Sequence, residues 1–228
     1  MLAQRLIAEE LMDDPALPVA EYTAVLHDLA RANRVTMAYR PTLAFIRRAI
    51  GGRKRISVLD VGFGDGDMLR RIARFASARG VEARLVGVDL NRNSVAAAQE
   101  ATAPALPITY LHGDYADHAG EDWDCVISSL VAHHMTPEQL LAFLSFMDAQ
   151  AQVGWFINDL HRHRLAYLGF PILAAAMGWH PIVRHDGRMS IARSYRPDEW
   201  QPILRQAGVE GARVFRAFPF RLCVEKLR

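Results

Sequence analysis

Three glycines stand at alternate positions after an apolar run, within the segment Val58–Asp67. They are Gly62, Gly64 and Gly66. A strand-to-helix turn that brings its backbone against a ligand needs residues without a Cβ atom, so the segment predicts a nucleotide-binding loop. The dinucleotide pattern requires its third glycine where Asp67 stands, and the P-loop pattern fails because no G-K-[ST] follows. Asp65 and Asp67 bring negative charge, which opposes a pyrophosphate and favours a cationic nucleoside.

Two further acidic positions follow the next apolar runs. Asp89 ends the run Leu85–Asp89, 29 residues after Asp60, and Asp114 lies between Gly113 and Tyr115. With the D-x-G-x-G-x-G motif that starts at Asp60, these positions make residues 55–160 resemble the class I S-adenosylmethionine (SAM)-dependent methyltransferases. SAM also suits the loop itself, because its sulfonium and α-amino groups are cationic and it has no phosphate.

The resemblance implies a cofactor site, SAM as the cofactor and methyl transfer as the reaction. It implies that Asp89 accepts hydrogen bonds from both ribose hydroxyls, that Asp114 binds the adenine amino group and that Tyr115 packs on the ring. Taken alone, Asp89 could cap a helix and Asp114 could belong to an ordinary turn. The cofactor-binding residues predicted in this way are Asp60, Gly62, Gly64, Gly66, Asp89, Leu90, Asp114, Tyr115 and Ser129.

Histidines are concentrated in two short segments that follow the fourth and fifth apolar runs of the domain. An acceptor oxygen or nitrogen that holds a proton benefits from a general base, and histidine suits that task near neutral pH. Each histidine could instead only cap or pack. No metal is predicted, because the first segment has no acid and magnesium disfavours imidazole ligands. The catalytic candidates are His133, His134, His161 and His163, with Asp159 as the group that could orient the base.

Short apolar strands alternate with helices from residue 56 onward. This alternation predicts an α/β fold with a Rossmann-like, doubly wound and mostly parallel seven-stranded sheet that ends in an antiparallel hairpin. The glycine loop and both histidine segments then lie at the carboxyl edge of the sheet, where such folds bind ligands. Strands are predicted at 56–61, 84–90, 108–112, 123–129, 153–158, 212–217 and 220–226, and helices at 67–79, 94–100, 137–149 and 197–206.

Two segments fall outside this alternation. Residues 1–52 predict a helical extension with helices near 2–13, 19–35 and 38–50, ahead of a methyltransferase domain over 53–228. Residues 160–195 insert an apolar helix and then Arg- and His-rich loop sequence after the fifth strand. Because the insertion begins at the carboxyl edge of the sheet, we expect it to form a lid, although the apolar helix could simply be core.

The acceptor class is narrowed by what the sequence lacks. The net charge is only +2, with 27 basic and 25 acidic residues, and no added basic module is visible, so a nucleic-acid acceptor is disfavoured. Residues 128–131 lack the N/D-P-P-aromatic motif of amino methyltransferases. The chain is similar to small bacterial methyltransferases of quinone precursors and polyketide phenols, which implies O-methylation of a phenolic or hydroxyl-bearing intermediate of secondary metabolism. Carbon or nitrogen methylation, or a non-catalytic cofactor-binding partner subunit, are the alternatives.

Cys125 and Cys223 each lie in an apolar run, which predicts buried thiols in a reducing compartment. The N-terminus does not have the pattern of a signal peptide, and the longest apolar stretch is too short to span a bilayer. The sequence therefore predicts a soluble cytoplasmic protein whose partner is a small-molecule substrate, with no nucleic acid and no membrane span. A homodimer could form.

Overall fold

The computed structural model describes residues 2–14 and 16–228, and a seven-stranded sheet forms its centre. The strands lie in the order β3-β2-β1-β4-β5-β7-β6, the first five parallel and β7 antiparallel to both neighbours. The predicted Rossmann-like sheet and its terminal antiparallel hairpin are confirmed. The strands are β1 (Arg55–Val61), β2 (Glu82–Asp89), β3 (Ile108–His112), β4 (Trp123–Ser129), β5 (Ala151–Leu160), β6 (Arg213–Ala217) and β7 (Arg221–Leu227).

Helices cover both faces of the sheet, as its near-continuous apolar strands require. One face packs against α2 and α3, where Phe45 stacks on Phe156 with ring centroids 5.1 Å apart. The other face packs against α5 and α8 through Phe143 and Trp200. The helices are α1 (Val19–Val35), α2 (Tyr39–Ile50), α3 (Asp67–Ser77), α4 (Arg92–Glu100), α5 (Pro137–Gln150), α6 (Arg164–Ala176), α7 (Pro181–Arg193) and α8 (Pro197–Gln206).

Helix α5 begins with the capping pattern that its sequence indicates. The Thr136 side chain accepts a hydrogen bond from the amide of Gln139, the Gln139 side chain accepts one from the amide of Thr136, and Pro137 occupies the first turn. The cap directly follows His133 and His134, so it fixes the end of the loop that carries both histidines.

The predicted helix over residues 2–13 is wrong. Only Leu11–Asp13 form a turn of 3-10 helix, and residues 2–10 run extended along α7. The amide of Leu6 donates to the carbonyl of Ala192, and the amides of Leu11 and Met12 donate to the carboxylate of Asp186. These backbone donors are satisfied by α7 instead of by a helix of their own. We call residues 2–14 the N-terminal strap.

The Arg- and His-rich part of residues 160–195 is a helix, not the expected loop. Helices α6 and α7 pack on each other and on α1, with Val25, Ala174, Trp179 and Val183 buried between them. The start of α7 is well defined, because Pro181 is the first helical residue and the His180 side chain accepts the amide of Ile182.

Cys125 and Cys223 are buried free thiols, as expected from their apolar runs. Within the described ranges, no helix combines the length and apolarity that crossing a bilayer requires.

Candidate active site

A cavity of about 640 Å³ lies at the carboxyl edge of the sheet, between the glycine loop, α1, α6 and α7. Buried polar atoms are normally paired, yet four that belong to residues of its wall have no hydrogen-bond partner in the described part of the chain. Unpaired groups around one cavity indicate that a polar ligand completes them. They are Asp60 Oδ1, Ser129 Oγ, His133 Nε2 and Arg221 Nη1.

The glycine loop forms one end of the cavity. Gly62 has φ +74°, and a Cβ atom there would lie 2.3 Å from Cγ2 of Val131, so the loop tolerates no side chain at this point. The amides of Gly64 and Asn91 donate to the two carboxylate oxygens of Asp89, at 3.0 and 2.8 Å. Helix α4 is capped by Asn91, so Asp89 is held beside the loop and does not serve as that cap.

Asp60 lies beneath the loop and is fully buried. Burial, together with the nearby Asp89, raises the pKa of Asp60 to about 7. A cationic ligand group next to its unpaired Oδ1 would compensate for this burial, and the α-amino group of SAM has that charge.

The charge expected from the other two loop acids is largely neutralised. Asp65 forms an ion pair with Arg70 at 3.0 Å, and Asp67 forms one with Arg71 at 2.9 Å. The electrostatic preference of the loop against phosphate therefore rests on Asp60 and Asp89, because the helix that follows supplies partners for the other acids.

The remaining predicted cofactor residues divide into two groups. Tyr115, Leu90 and Ser129 border the cavity, and the Tyr115 ring contacts Phe143 edge-on at 4.9 Å. Asp114 and Gly66 lie outside the wall of the cavity. Asp114 is exposed and caps the short 3-10 helix Tyr115–His118, while Gly66, with φ +76°, starts α3.

His133 borders the cavity, and Asp159 lies behind it as its buried partner. His133 Nδ1 lies 2.7 Å from Asp159 Oδ1, and the His133 amide donates to Asp159 Oδ2 at 2.9 Å. Burial alone would lower the pKa of His133, but the carboxylates of Asp159 and Glu10 outweigh it and raise the pKa to about 9. Burial raises the pKa of Asp159, but His133 more than compensates, and the net shift is downward.

The second histidine of the loop also borders the cavity. His134 Nδ1 lies 3.0 Å from Asp13 Oδ2, and its Nε2 lies 3.8 Å from Glu10 Oε2. His161 and His163 are not in the cavity wall. The His161 amide donates to the carbonyl of Phe220, and the His163 side chain caps α6. The structure thus brings together two of the four predicted histidines with Asp159.

Three residues near or in this cavity were missed by sequence reasoning. Glu10 lies in the strap with its Oε1 3.6 Å from His133 Nε2, and Tyr22 of α1 contacts Ser94 through its hydroxyl at 2.9 Å. Arg221 begins β7. Local patterns give no signal for them, because their role follows from contacts between distant parts of the chain.

Glu10, His133 and His134 offer ligand atoms within 4.8 Å of one another, a spacing that a metal ion could bridge. Glu10 Oε1 is instead bonded by Ser190 Oγ at 2.9 Å and faces Arg193 Nη1 at 3.3 Å. A guanidinium at that distance opposes a second cation on the same carboxylate. We therefore interpret these side chains as a cluster in which the carboxylate of Glu10 lies close to both imidazoles, 3.6 Å from His133 and 3.8 Å from His134, and we assign no metal to it.

Residues 58–151 match the family model of a methyltransferase domain. No curated protein matches the chain by sequence. Among solved structures, magnesium protoporphyrin IX methyltransferase from Synechocystis PCC 6803 with bound S-adenosylhomocysteine (SAH) is 21% identical, with 85% of this chain and 82% of that chain covered and a TM-score of 0.56. A SAM-dependent methyltransferase from Aquifex aeolicus is 18% identical, with 89% and 96% covered and a TM-score of 0.61. Human N-acetylserotonin methyltransferase in complex with SAM is 14% identical, with 98% and 60% covered and a TM-score of 0.65. At these identities the similarity establishes the fold.

Proposed function

We propose that this chain is a class I SAM-dependent methyltransferase that methylates an oxygen of a phenolic or hydroxyl-bearing small molecule, with His133 as the general base. One observation carries the proposal. His133, whose Nδ1 is paired with Asp159 and whose Nε2 is unpaired, borders the same cavity as the glycine loop.

The cofactor end of the cavity fits SAM. Asp60 would face its α-amino group and Asp89 would accept the ribose hydroxyls, beside the glycine loop that borders the same cavity. When bound, SAM supplies an electrophilic methyl group on a sulfonium centre. Structural neighbours that contain SAM or SAH support this assignment.

The opposite wall of the cavity favours a partly apolar acceptor. Leu29 of α1, Phe170 and Leu173 of α6 and Val183 of α7 all border it. Small-molecule sites are mostly apolar with a few placed polar groups, and this cavity has that composition. We assign α6 and α7 to a lid that excludes water from the acceptor. The neighbours include a protoporphyrin methyltransferase and an N-acetylserotonin methyltransferase, whose names indicate small-molecule acceptors.

The geometry of His133 assigns it the proton of the acceptor hydroxyl. Asp159 accepts the hydrogen bond from Nδ1–H, so that the neutral ring has its lone pair on the unpaired Nε2. Nε2 of His133 would accept the proton of the acceptor hydroxyl while the acceptor oxygen bonds to the methyl carbon, the bond from that carbon to the cofactor sulfur breaks and SAH is the leaving group. Glu10 and Asp159 then flank the imidazolium and stabilise its charge.

The test combines variants with a panel of phenols, amines and carbon nucleophiles, assayed with methyl-labelled SAM. His133→Asn keeps a donor for Asp159 but removes the base, so turnover should fall by about 100-fold or more while SAH affinity is unchanged. His27→Asn, an exposed position on α1, is the matched control. NMR of the labelled methyl group identifies the methylated atom.

Undiminished turnover in His133→Asn would exclude the base. Methylation confined to amines or carbon nucleophiles would replace the O-methyl proposal with one of its alternatives. Tight SAH binding without transfer to any acceptor would favour the partner-subunit reading. Turnover is also measured in the presence of a chelator. If the chelator abolished turnover and a divalent ion restored it, Glu10, His133 and His134 would instead be assigned as metal ligands.

A further inference from the structure

Arg221, the first residue of β7, is buried at the edge of the cavity without a counter-ion. Only 3% of the residue is exposed, and it forms no ion pair in the described ranges. Its Nη2 donates to Asn33 Oδ1 at 3.1 Å, while Nη1 has no partner among those residues. A buried charge without a partner is costly, and such groups are found where a ligand supplies the missing charge.

The nearest acidic influence on Arg221 is Asp159, which is already engaged. Its two oxygens accept hydrogen bonds from the His133 ring and amide and from the amide of Leu160. Burial lowers the pKa of Arg221 to about 10, so the guanidinium still carries its charge near neutral pH. The guanidinium of this cavity-lining residue therefore has an unused hydrogen-bond donor, Nη1.

Arg221 lies at the acceptor end of the cavity. In the sheet order, β4 and β5 separate β1 from β7, so Asp60 and Arg221 are about 14 Å apart across the strands, at about 4.8 Å per step. Helix α1 spans the same interval. Its Tyr22 contacts Ser94 beside Asp89, while its Asn33, 11 residues further along and about 16 Å away at about 1.5 Å per residue, contacts Arg221.

We propose that Arg221 binds a carboxylate on the methyl acceptor, so that the preferred acceptors are phenolic acids. The planar guanidinium matches a carboxylate through parallel N–H···O bonds, for which Nη1 is available. The inference rests on the proposed small-molecule acceptor and adds that this acceptor carries a negative charge. The other carboxylate that could reach the cavity is that of the cofactor, and the experiment below separates the two.

The experiment compares Arg221→Met, Arg221→Lys and wild type, with Arg216→Met on the exposed side of β6 as the matched control. Calorimetry on the SAH-loaded protein uses a set of hydroxybenzoates, each paired with the phenol that lacks the carboxylate. Wild type should bind the acids more tightly than the phenols. Arg221→Met should lose about 10- to 100-fold in affinity for the acids only, and Arg221→Lys should lose less. SAH affinity should be unchanged in all variants.

Arg221→Met should not unfold more easily than wild type in a thermal melt, because it removes an uncompensated buried charge. A loss of SAH affinity in Arg221→Met would assign the guanidinium to the cofactor and overturn the proposal. So would equal affinity of wild type for acids and phenols. Binding is measured apart from turnover, so methylation of phenols without any preference for acids would overturn this inference alone. Binding of acids without any methyl transfer would overturn only the proposed reaction.

Discussion

At the scale of single residues, two carboxylates on opposite sides of one imidazole determine when His133 can accept a proton. Asp159 of β5 holds Nδ1, and Glu10 of the strap lies 3.6 Å from Nε2. The ring of His134 lies beside that of His133, and the positive charge of Arg193 of α7 partly offsets the negative charge of Glu10. With a pKa of about 9, His133 is protonated at neutral pH and becomes a base only as the pH rises.

We therefore expect kcat/KM to increase with pH in proportion to the neutral fraction of His133, to reach half of its maximum near pH 9 and to level off about one pH unit higher. Glu10→Gln removes one negative charge while keeping the size of the side chain, so it lowers the pKa of His133. The rising limb of the profile should move to lower pH in this variant. Glu9→Gln, exposed and adjacent in sequence, is the control and should leave the profile in place. If the rising limb of the kcat/KM profile stayed at the same pH in Glu10→Gln, this would contradict the assignment of His133 as the base.

Asp60 gives a second pH dependence, in cofactor binding instead of turnover. Its pKa of about 7 in the free protein should fall when a cationic amino group binds, so binding releases a proton. SAH affinity should then increase about tenfold between pH 6 and pH 8, because the ionised fraction of Asp60 increases over that range. Calorimetry in buffers of different ionisation enthalpy measures the released proton. Asp60→Asn should bind SAH weakly without this pH dependence, whereas exposed Asp117→Asn should behave as wild type.

The sequence could place Asp89, His133 and Asp159 at the candidate site because each lies at or just after the carboxyl end of a parallel strand, and parallel strands end at one edge. It could not predict Glu10 or Arg221. Neither follows a parallel strand of the sheet, and each reaches the cavity through partners far away in the chain, Ser190 for Glu10 and Asn33 for Arg221.

At the scale of elements, one carboxylate of α7 holds the part of the N-terminal strap that follows Glu10. The amides of Leu11 and Met12 donate to the two oxygens of Asp186, at 3.1 and 2.9 Å. Amphipathic spacing predicts a helix for this segment, but tertiary hydrogen bonds to α7 hold it extended. Prediction of secondary structure from residue spacing therefore fails where the backbone amides of a segment are hydrogen-bonded to another element.

Asp186→Ala should release the strap and with it Glu10. The amides of Leu11 and Met12 should exchange about 10- to 100-fold faster, which corresponds to the loss of hydrogen bonds to a charged acceptor. Turnover should decrease while SAH affinity stays unchanged, because Asp60 and Asp89 do not contact the strap. Hydrogen exchange by mass spectrometry measures the first effect, with Asp198→Ala at the exposed start of α8 as the control. Unchanged exchange at Leu11 and Met12 would show that other contacts hold the strap.

At the scale of the whole molecule, the sheet could be predicted because parallel strands require helical crossovers, and the alternation is visible in the sequence. The path of α1 could not. Its apolar stripe indicates a buried face but not which strand ends it crosses, and the observed path from Ser94 to Arg221 depends on contacts at both of its ends. The homodimer stays a prediction.

Because α1 follows this path, the cavity is lined by separate parts of the chain. The cofactor and the acceptor should therefore each stabilise a different part. SAH at about 100 times its Kd should add about 2.7 kcal/mol to the free energy of unfolding and raise the Tm by about 5–10 °C. Hydrogen exchange should slow in the glycine loop and in the first half of α1, where Leu26 packs over Gly64. Slower exchange in α6 and α7 should require an added phenol, because these helices border the acceptor side. Helix α8, which does not border the cavity, is the internal reference. Protection of α6 and α7 by SAH alone would place the cofactor where we place the acceptor.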